Sequence, residues 1–394
     1  MIYYYGTERP MRVGDRVVGR GSVDSRRLDG LEGVITHVND YEDDGDYACH
    51  VDFGSFDWWV YSDSIIPADA VVNWLSVDKG GCRFCGCKIT PEMKLSTRLY
   101  SGEVCDRCVA REVKKVHSYH FGKNLKYNYA KGKITLGAEI EIDDRDEEGS
   151  REDAVFNLVD YACKHKYPLI MTHENDGSLY GDGFESVTAP LTLDEWKTDA
   201  VIGQLNTLFE SAEESGFNLH DNYTHAGLHV HIGRKDLCGD MDVAKTNAVG
   251  LLMGWAVTRL WNKGFKELSR RRDLEYCHLF DESGHGNGLH DTEGSYNRYS
   301  AVNITNAKTI ELRIFAGARN VDDVLVAVDV CYMLAKWAVK KITAYSKRST
   351  YSVKAGRFDD ALEYADRLTW SALVKYSKFP EVTLPAMREA GIVF

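Results

Sequence analysis

Three short runs of the sequence place ionisable residues two positions apart. ITLGAEIEI (134–142) carries Glu139 and Glu141, AGLHVHIG (226–233) carries His229 and His231, and TIELRIFAG (309–317) carries Glu311 and Arg313. In an extended strand, residues i and i+2 share a face and lie roughly 7 Å apart. The apolar residues between them fill the other face, as expected of a sheet packed on helices. One such pair alone reads as the wet side of an antiparallel sheet. Three together make a donor set: Glu139, Glu141, Glu311 and a histidine are hard ligands of the kind Mg2+ or Mn2+ takes. An arginine two residues from a ligating carboxylate suits a phosphate or a carboxylate. Two further segments add to the set. NDGSL (175–179) holds Asp176 and is followed by FESVTAP (184–190), a strand-like run with a single acid, Glu185. YNRYSAVNI (296–304) brings Arg298 and Asn303 just ahead of the Glu311 run. A curved sheet lined in this way is a cup for a divalent metal and a phosphorylated ligand.

A second constellation lies upstream. Cys82-x2-Cys85 is followed by Cys105-x2-Cys108, and five of the ten cysteines fall between 82 and 108. Each CxxC turn lets two thiolates converge, and two such turns make a tetrahedral structural zinc site. Cys87 is an extra thiol that could replace Cys85. The stretch 78–133 holds thirteen Lys/Arg against five Asp/Glu, a net +8 within a chain of formal charge −12. This basic unit reads equally as a solvated face or as a contact for nucleic acid or an acidic protein. The acidic whole disfavours a chain that wraps nucleic acid.

The elements that must position these groups follow from the pattern. Residues 12–19, 31–37, 48–53 and 57–62 are short β-rich runs punctuated by Gly, Asp and Asn. They predict a small all-β barrel over 1–76, with Trp58, Trp59 and Tyr61 either forming an aromatic binding face or filling its core with alternate members. Residues 77–120 form the zinc-binding unit, and 121–394 the large domain. Helices are expected at 151–166, 193–215, 242–268, 321–345 and 359–376, and a mobile loop at 280–295. The resulting class is α+β, a curved and mainly antiparallel sheet packed with helices. No apolar run approaches the roughly 20 residues of a membrane span, since Asp322, Asp323 and Asp329 interrupt the longest candidate. With no charged and then apolar leader at the start, a cytoplasmic protein is expected. The sequence leaves the oligomeric state open.

Two resemblances sharpen the reading. The run VGDRVVGRG…GVITHV…HVDFGSFDWWVYSDSIIP resembles SH3-like barrels of the Tudor and KOW type. The ordered set GAEIEI, DGSL, FESVTAP, GLHVHIG and NRYSAVNI…TIELRIFAG resembles the amidoligase family, within the glutamine synthetase and glutamate–cysteine ligase superfamily. This second resemblance spans residues 136–320. It implies an ATP- and Mg2+- or Mn2+-dependent carboxylate–amine ligase working through an acyl phosphate. It further implies that Glu139 and Glu141 hold different metals, that Glu185 joins the first, and that His229 completes the site shared with Glu139 and Glu311. His231 would touch the nucleotide or support a ligand, with Asn303 beside it. Arg298 and Arg313 would neutralise the γ-phosphate and acyl phosphate, and Asp176 would bind the amine or act as base. The barrel and zinc unit lie outside this resemblance and tilt the reading toward a peptide or protein substrate. Two other readings stand beside it: a metal-dependent hydrolase, in which the same groups activate water, and an adaptor that binds nucleic acid or protein through the barrel and zinc unit.

Overall fold

The computed structural model describes residues 9–19, 22–23, 26–28, 31–39, 47–68, 116–117, 133–144, 149–165, 167–220, 226–235, 237, 243–271, 274–280, 298–348 and 362–394. The chain divides into two compact units, Met1–Glu112 with His117–Lys126, and Val113–Val116 with Tyr127–Phe394. The expected zinc ligands Cys82, Cys85, Cys87, Cys105 and Cys108 lie outside the described residues, as does the expected loop from 281 onward.

In the smaller unit, alternation of apolar and polar residues produces the five short strands of its main sheet: β1 (Arg16–Gly19), β2 (Glu32–Val38), β3 (Cys49–Asp52), β4 (Asp57–Val60) and β5 (Ile65–Pro67). They form one antiparallel sheet in the order β4-β3-β2-β1-β5. Val17, Ile35, Cys49, Val51, Val60 and Ile65 point inward and are fully buried. Trp58 and Tyr61 pack against this core, whereas Trp59 is 38% exposed. Trp58 and Trp59, adjacent on β4, thus face opposite sides of the strand.

The larger unit is built on a sheet whose central strand is β6 (Thr135–Ile142). β7 (Met171–Glu174), β8 (Phe184–Thr188), β9 (Leu191–Thr192), β10 (Gly227–Gly233), β11 (Val302–Asn303) and β12 (Thr309–Ala316) belong to it. The spatial order β11-β12-β10-β6-β8-β7 is antiparallel at every step, with β9 paired to β6 as well. The alternation read from the sequence sets the faces. Leu136, Ala138, Ile140 and Ile142, Leu228, Val230 and Ile232, and Ile310 and Leu312 are all buried on one side. Behind them lie α1 (Arg151–His165), α2 (Asp199–Glu214), α3 (Val243–Leu260) and α4 (Val321–Arg348), with α4 packed over β10 and β6 and α3 over β11. A C-terminal helix, α5 (Pro380–Glu389), packs on α4.

Three expected helices are interrupted. The 193–215 segment breaks at Lys197–Thr198, because a capping box of Thr192 and Glu195 starts a separate turn, Leu193–Trp196, whose indole donates to Leu136 O at 3.1 Å. The 242–268 segment passes through a π-turn at Trp261–Phe265 that contains Gly264 at φ +97°. The 359–376 segment is described as two short helices, Leu362–Asp366 and Trp370–Val374.

Candidate functional site

The strand registers decide which ionisable residues meet. On β6, Glu139 lies opposite His229 of β10 and Glu141 opposite Glu185 of β8. Glu185 lies opposite Glu174 of β7, His231 of β10 opposite Glu311 of β12, and Glu311 opposite Asn303 of β11. The non-core face of the sheet therefore carries a continuous band from Asn303 to Glu174. One irregularity shapes it. Leu228 pairs with Phe315 and Val230 with Leu312, so Arg313 and Ile314 together face His229. Such a bulge re-aims side chains next to functional sites, and here it sits at Arg313.

The side chains interlock. Glu139 Oε1 is 2.9 Å from His231 Nε2, and Glu139 Oε2 is 3.3 Å from His229 Nδ1. His229 Nε2 lies 3.4 Å from Glu141 Oε1, and His229 Nδ1 lies 3.8 Å from Glu311 Oε1. Arg313 Nη1 donates to Glu311 Oε1 at 2.6 Å, and Asn303 Nδ2 donates to Glu311 Oε2 at 2.9 Å. Ligand atoms of Glu139, Glu185 and His229 lie within 4.8 Å of one another, as do those of Glu139, His231 and Glu311. Glu139 is common to both groups. The set of hard carboxylate oxygens with one imidazole each fits Mg2+ or Mn2+.

An open cup lined by these groups was the sequence expectation, and the structure shows them largely closed off from water. Glu141, Glu185, His229, Glu311 and Asn303 are all buried, and Glu139, His231 and Arg313 are only partly exposed. Neighbouring strands stand about 4.8 Å apart, so facing carboxylates and imidazoles shield one another from water.

Burial and mutual charge then move the protonation equilibria. Burial by itself would raise the Glu139 carboxyl, but His231 and His229, by charge and hydrogen bond, hold it well below the usual range. Burial lifts Glu185 well above its ordinary value, and Glu139, Glu141, Glu174 and Asp176 add to the lift. The charged groups that add most to this lift are acids, so the ionised form of Glu185 calls for a cation. His231 is pushed up to about 9: burial acts against the charged ring, but Glu139 and Glu311 outweigh it. Burial likewise opposes the Arg313 charge, and Glu311 and Glu141 more than compensate.

The remaining expected residues fall at different places. Asp176 sits in the turn after β7, where its Oδ1 accepts from Ser178 N at 2.9 Å and Ser178 Oγ at 2.8 Å. That turn is tied to the end of β6 by Tyr180 N–H donating to Asp143 Oδ1 at 2.7 Å and Asp182 N–H to Asp144 Oδ2 at 3.0 Å. Arg298 is exposed, its guanidinium 5.0 Å over the Tyr299 ring, and makes no ion pair with the carboxylate band among the described residues.

Three contributors escaped the sequence reading. Glu174 ends a strand-like run, MTHE, directly before NDGSL, and its place opposite Glu185 depends on the β7–β8 register. Gly227 N–H donates a short hydrogen bond to Glu141 Oε2, and a Cβ there would meet His229 Nε2 at 2.7 Å. Thr309 Oγ1 lies 3.1 Å from His231 Nδ1. The i, i+2 spacing of Thr309 with Glu311 was the available signal.

Among the described residues, no helix is long and apolar enough to cross a membrane. Neither a protein-family model nor a curated protein matches the chain. Among the solved structures to which the chain is similar is one described as apo GmaS without ligand, at 15% identity and a TM-score of 0.32, covering 65% of each chain.

Proposed function

We propose that the chain is an ATP- and Mg2+-dependent carboxylate–amine ligase. The observation that carries this reading is the pair of three-ligand groups sharing Glu139 beside Arg313. Two adjacent divalent ions and a guanidinium are what a transferred phosphoryl group requires. In this reading a substrate carboxylate oxygen attacks the γ-phosphorus of ATP, giving an acyl phosphate and ADP. An amine then attacks the acyl carbon, phosphate leaves with the C–O bonding pair, and the amine loses a proton, giving an amide.

Divalent ions, when bound, neutralise charge on the triphosphate. Glu139, Glu185 and His229 would hold one ion, and Glu139, His231 and Glu311 a second, with Glu141 alongside His229. Arg313 would take charge developing on the transferred group, while Asn303 fixes the Glu311 carboxylate. The role of Arg298 at the γ-phosphate and that of Asp176 toward the amine belong to the same proposal. So do a structural zinc on Cys82, Cys85 (or Cys87), Cys105 and Cys108, a cytoplasmic location, and use of a peptide or protein substrate. Elemental analysis of the purified protein reads the zinc directly.

The test of the activity is product analysis of the purified full chain with ATP, Mg2+ and mixtures of carboxylates and amines. ADP and phosphate release that needs both co-substrates, together with a condensed product, supports a ligase. Hydrolysis of amides without nucleotide would support the metal-dependent hydrolase instead. Glu141→Gln is expected to abolish turnover.

A further inference from the structure

A cavity of about 310 Å³ is lined by the later turns of α2, by the start of α4 and by His220. None of the residues of the carboxylate band lines it. Its apolar part comes from Phe209 and Val321, both buried. Glu210 and Glu213 border it, three positions apart and so neighbours on one face of α2. Both are exposed, and neither carboxylate makes a hydrogen bond or ion pair among the described residues.

The opposite charge enters from the α4 side, where Arg319 and Asn320 line the cavity. Arg319 Nε donates to Asp323 Oδ2 at 3.0 Å and Nη2 to Asp323 Oδ1 at 3.1 Å, while the Arg319 N–H donates to Oδ2 at 2.9 Å. Arg270 Nη2 lies 3.0 Å from the same carboxylate, so one acid serves two guanidiniums. The hydrogen bond to Asp323 raises the Arg319 pKa; burial opposes the rise, and the charges of Asp323 and Glu389 add to it. The Arg319 guanidinium is thus charged and held in one orientation, and its Nη1 makes no hydrogen bond among the described residues. A side chain already fixed in this way loses little further freedom when a ligand carboxylate docks on it.

The pairing of charges selects the ligand. A phosphate or other anion without a cationic group meets Glu210 and Glu213. A bare divalent ion meets Arg319, and Glu210, Glu213 and His220 do not bring three ligand atoms within 4.8 Å of one another, as the carboxylate band does. A molecule carrying both charges satisfies both walls, and an aliphatic group on it covers Phe209 and Val321. The volume stands at the lower end of the roughly 300–1,000 Å³ of small-molecule pockets, which suits a single amino acid rather than a peptide.

We propose that the cavity between α2 and α4 binds a free aliphatic amino acid, its ammonium against Glu210 and Glu213 and its carboxylate against Arg319 and Asn320. This stands independently of the ligase reading, because it uses no residue of the carboxylate band.

The experiment is isothermal titration of the purified full chain, without nucleotide, with L-leucine and with two analogues that keep one charge each: isocaproate, which lacks the ammonium, and isoamylamine, which lacks the carboxylate. Leucine is expected to bind, and each analogue to bind at least roughly tenfold more weakly, since each forfeits a charge-assisted contact. Glu210→Gln/Glu213→Gln is expected to weaken leucine binding by roughly tenfold or more, with an unchanged melting curve because both side chains are exposed. Glu185→Gln, in the carboxylate band, is expected to bind leucine as wild type does, which separates this cavity from the ligase site. Absence of leucine binding, equal binding of either analogue, wild-type binding by the double variant, or loss of binding in Glu185→Gln would each overturn the proposal.

Discussion

The Thr309 hydroxyl lies 3.1 Å from Nδ1 of His231, while Nε2 of the same ring lies 2.9 Å from Glu139. The two contacts fix the ring at both ends. With Nδ1–H donating to Thr309, Nε2 is the nitrogen left to face the Glu139–Glu311 group. Groups that orient a ligating histidine in this way are typically worth about 10–100-fold in metal affinity. Thr309→Val should therefore weaken Mn2+ binding by about that factor, and Thr309→Ser should restore it. Titration of the thermal shift with Mn2+ checks this, since a purely structural role would lower the metal-free melting temperature as well.

The His231–Glu139 pair carries a pH dependence. His231 is raised to about 9 by Glu139 and Glu311, despite its burial and the nearby Arg313. A group raised on folding contributes stability that is present in full below its unfolded value, about 6.5. That contribution is lost as pH rises toward 9. Metal-free protein should thus lose this part of its stability across that window. Mn2+ affinity should rise over the same window, because the ion displaces a proton from Nε2. Thermal shifts at several pH values, with and without Mn2+, measure both, and His231→Asn should flatten the two profiles.

Much of this site was legible as sequence because its signal is local. The i, i+2 pairs Glu139/Glu141, His229/His231 and Glu311/Arg313 fix a shared face by strand alternation alone, and β6, β10 and β12 form within a residue of the expected ends. What was not legible depends on register. The row Glu174–Glu185–Glu141 exists because three strands align there, and spacing along one strand cannot reveal it. The burial of the face also depends on register, since it arises from side chains closing over one another between strands. Gly227 gave no chemical signal, having no side chain, yet its N–H holds Glu141.

That row has an energetic consequence. Like charges directly opposite one another destabilise a sheet, and Glu185 lies between Glu174 and Glu141, where burial first and then the neighbouring acids lift its carboxyl. Glu185→Gln removes the repulsion while keeping the shape. It should stabilise the metal-free protein at neutral pH by an amount on the order of 1 kcal/mol, read as a higher melting temperature. It should also lose the stabilisation that Mg2+ or Mn2+ gives the wild type. A variant less stable than wild type without metal would show that Glu185 holds the fold rather than a cation.

Asp329 teaches a different lesson. In the sequence it is a charge that interrupts an apolar run. In the structure it is fully buried in α4 and accepts from Ser377 Oγ at 2.6 Å, Lys378 N at 2.7 Å and Thr383 Oγ1 at 2.8 Å. It ties the start of α5 to the long helix behind the sheet. Asp329→Asn puts an NH2 group among three donors, and a buried donor left unsatisfied costs about 1–3 kcal/mol. The expected outcome is a lower melting temperature and faster proteolytic trimming of residues 377–394, with metal affinity per folded molecule unchanged.

Gly227→Ala tests how tightly the carboxylate band is built. Gly227 faces Ala316 across the β10–β12 pair. An added Cβ would sit 2.7 Å from His229 Nε2 and 3.1 Å from Glu141 Oε2. Neither partner can retreat easily: Glu141 is hydrogen-bonded to the Gly227 amide, and His229 is buried between Glu139 and Glu311. The methyl must therefore push His229 out of the Glu139–Glu185 group or break the amide bond to Glu141. Overpacking of this kind costs typically 1–3 kcal/mol. The variant should melt lower, and its Mn2+ affinity should fall by more than tenfold, because one of only three donors is displaced. Ala at the neighbouring Leu228 gives the control. It creates a cavity in the core face, costing about 2–5 kcal/mol, but leaves the ligand atoms where they are. If Leu228→Ala loses as much Mn2+ affinity as Gly227→Ala, the effect is general loosening of the sheet and the local crowding argument fails.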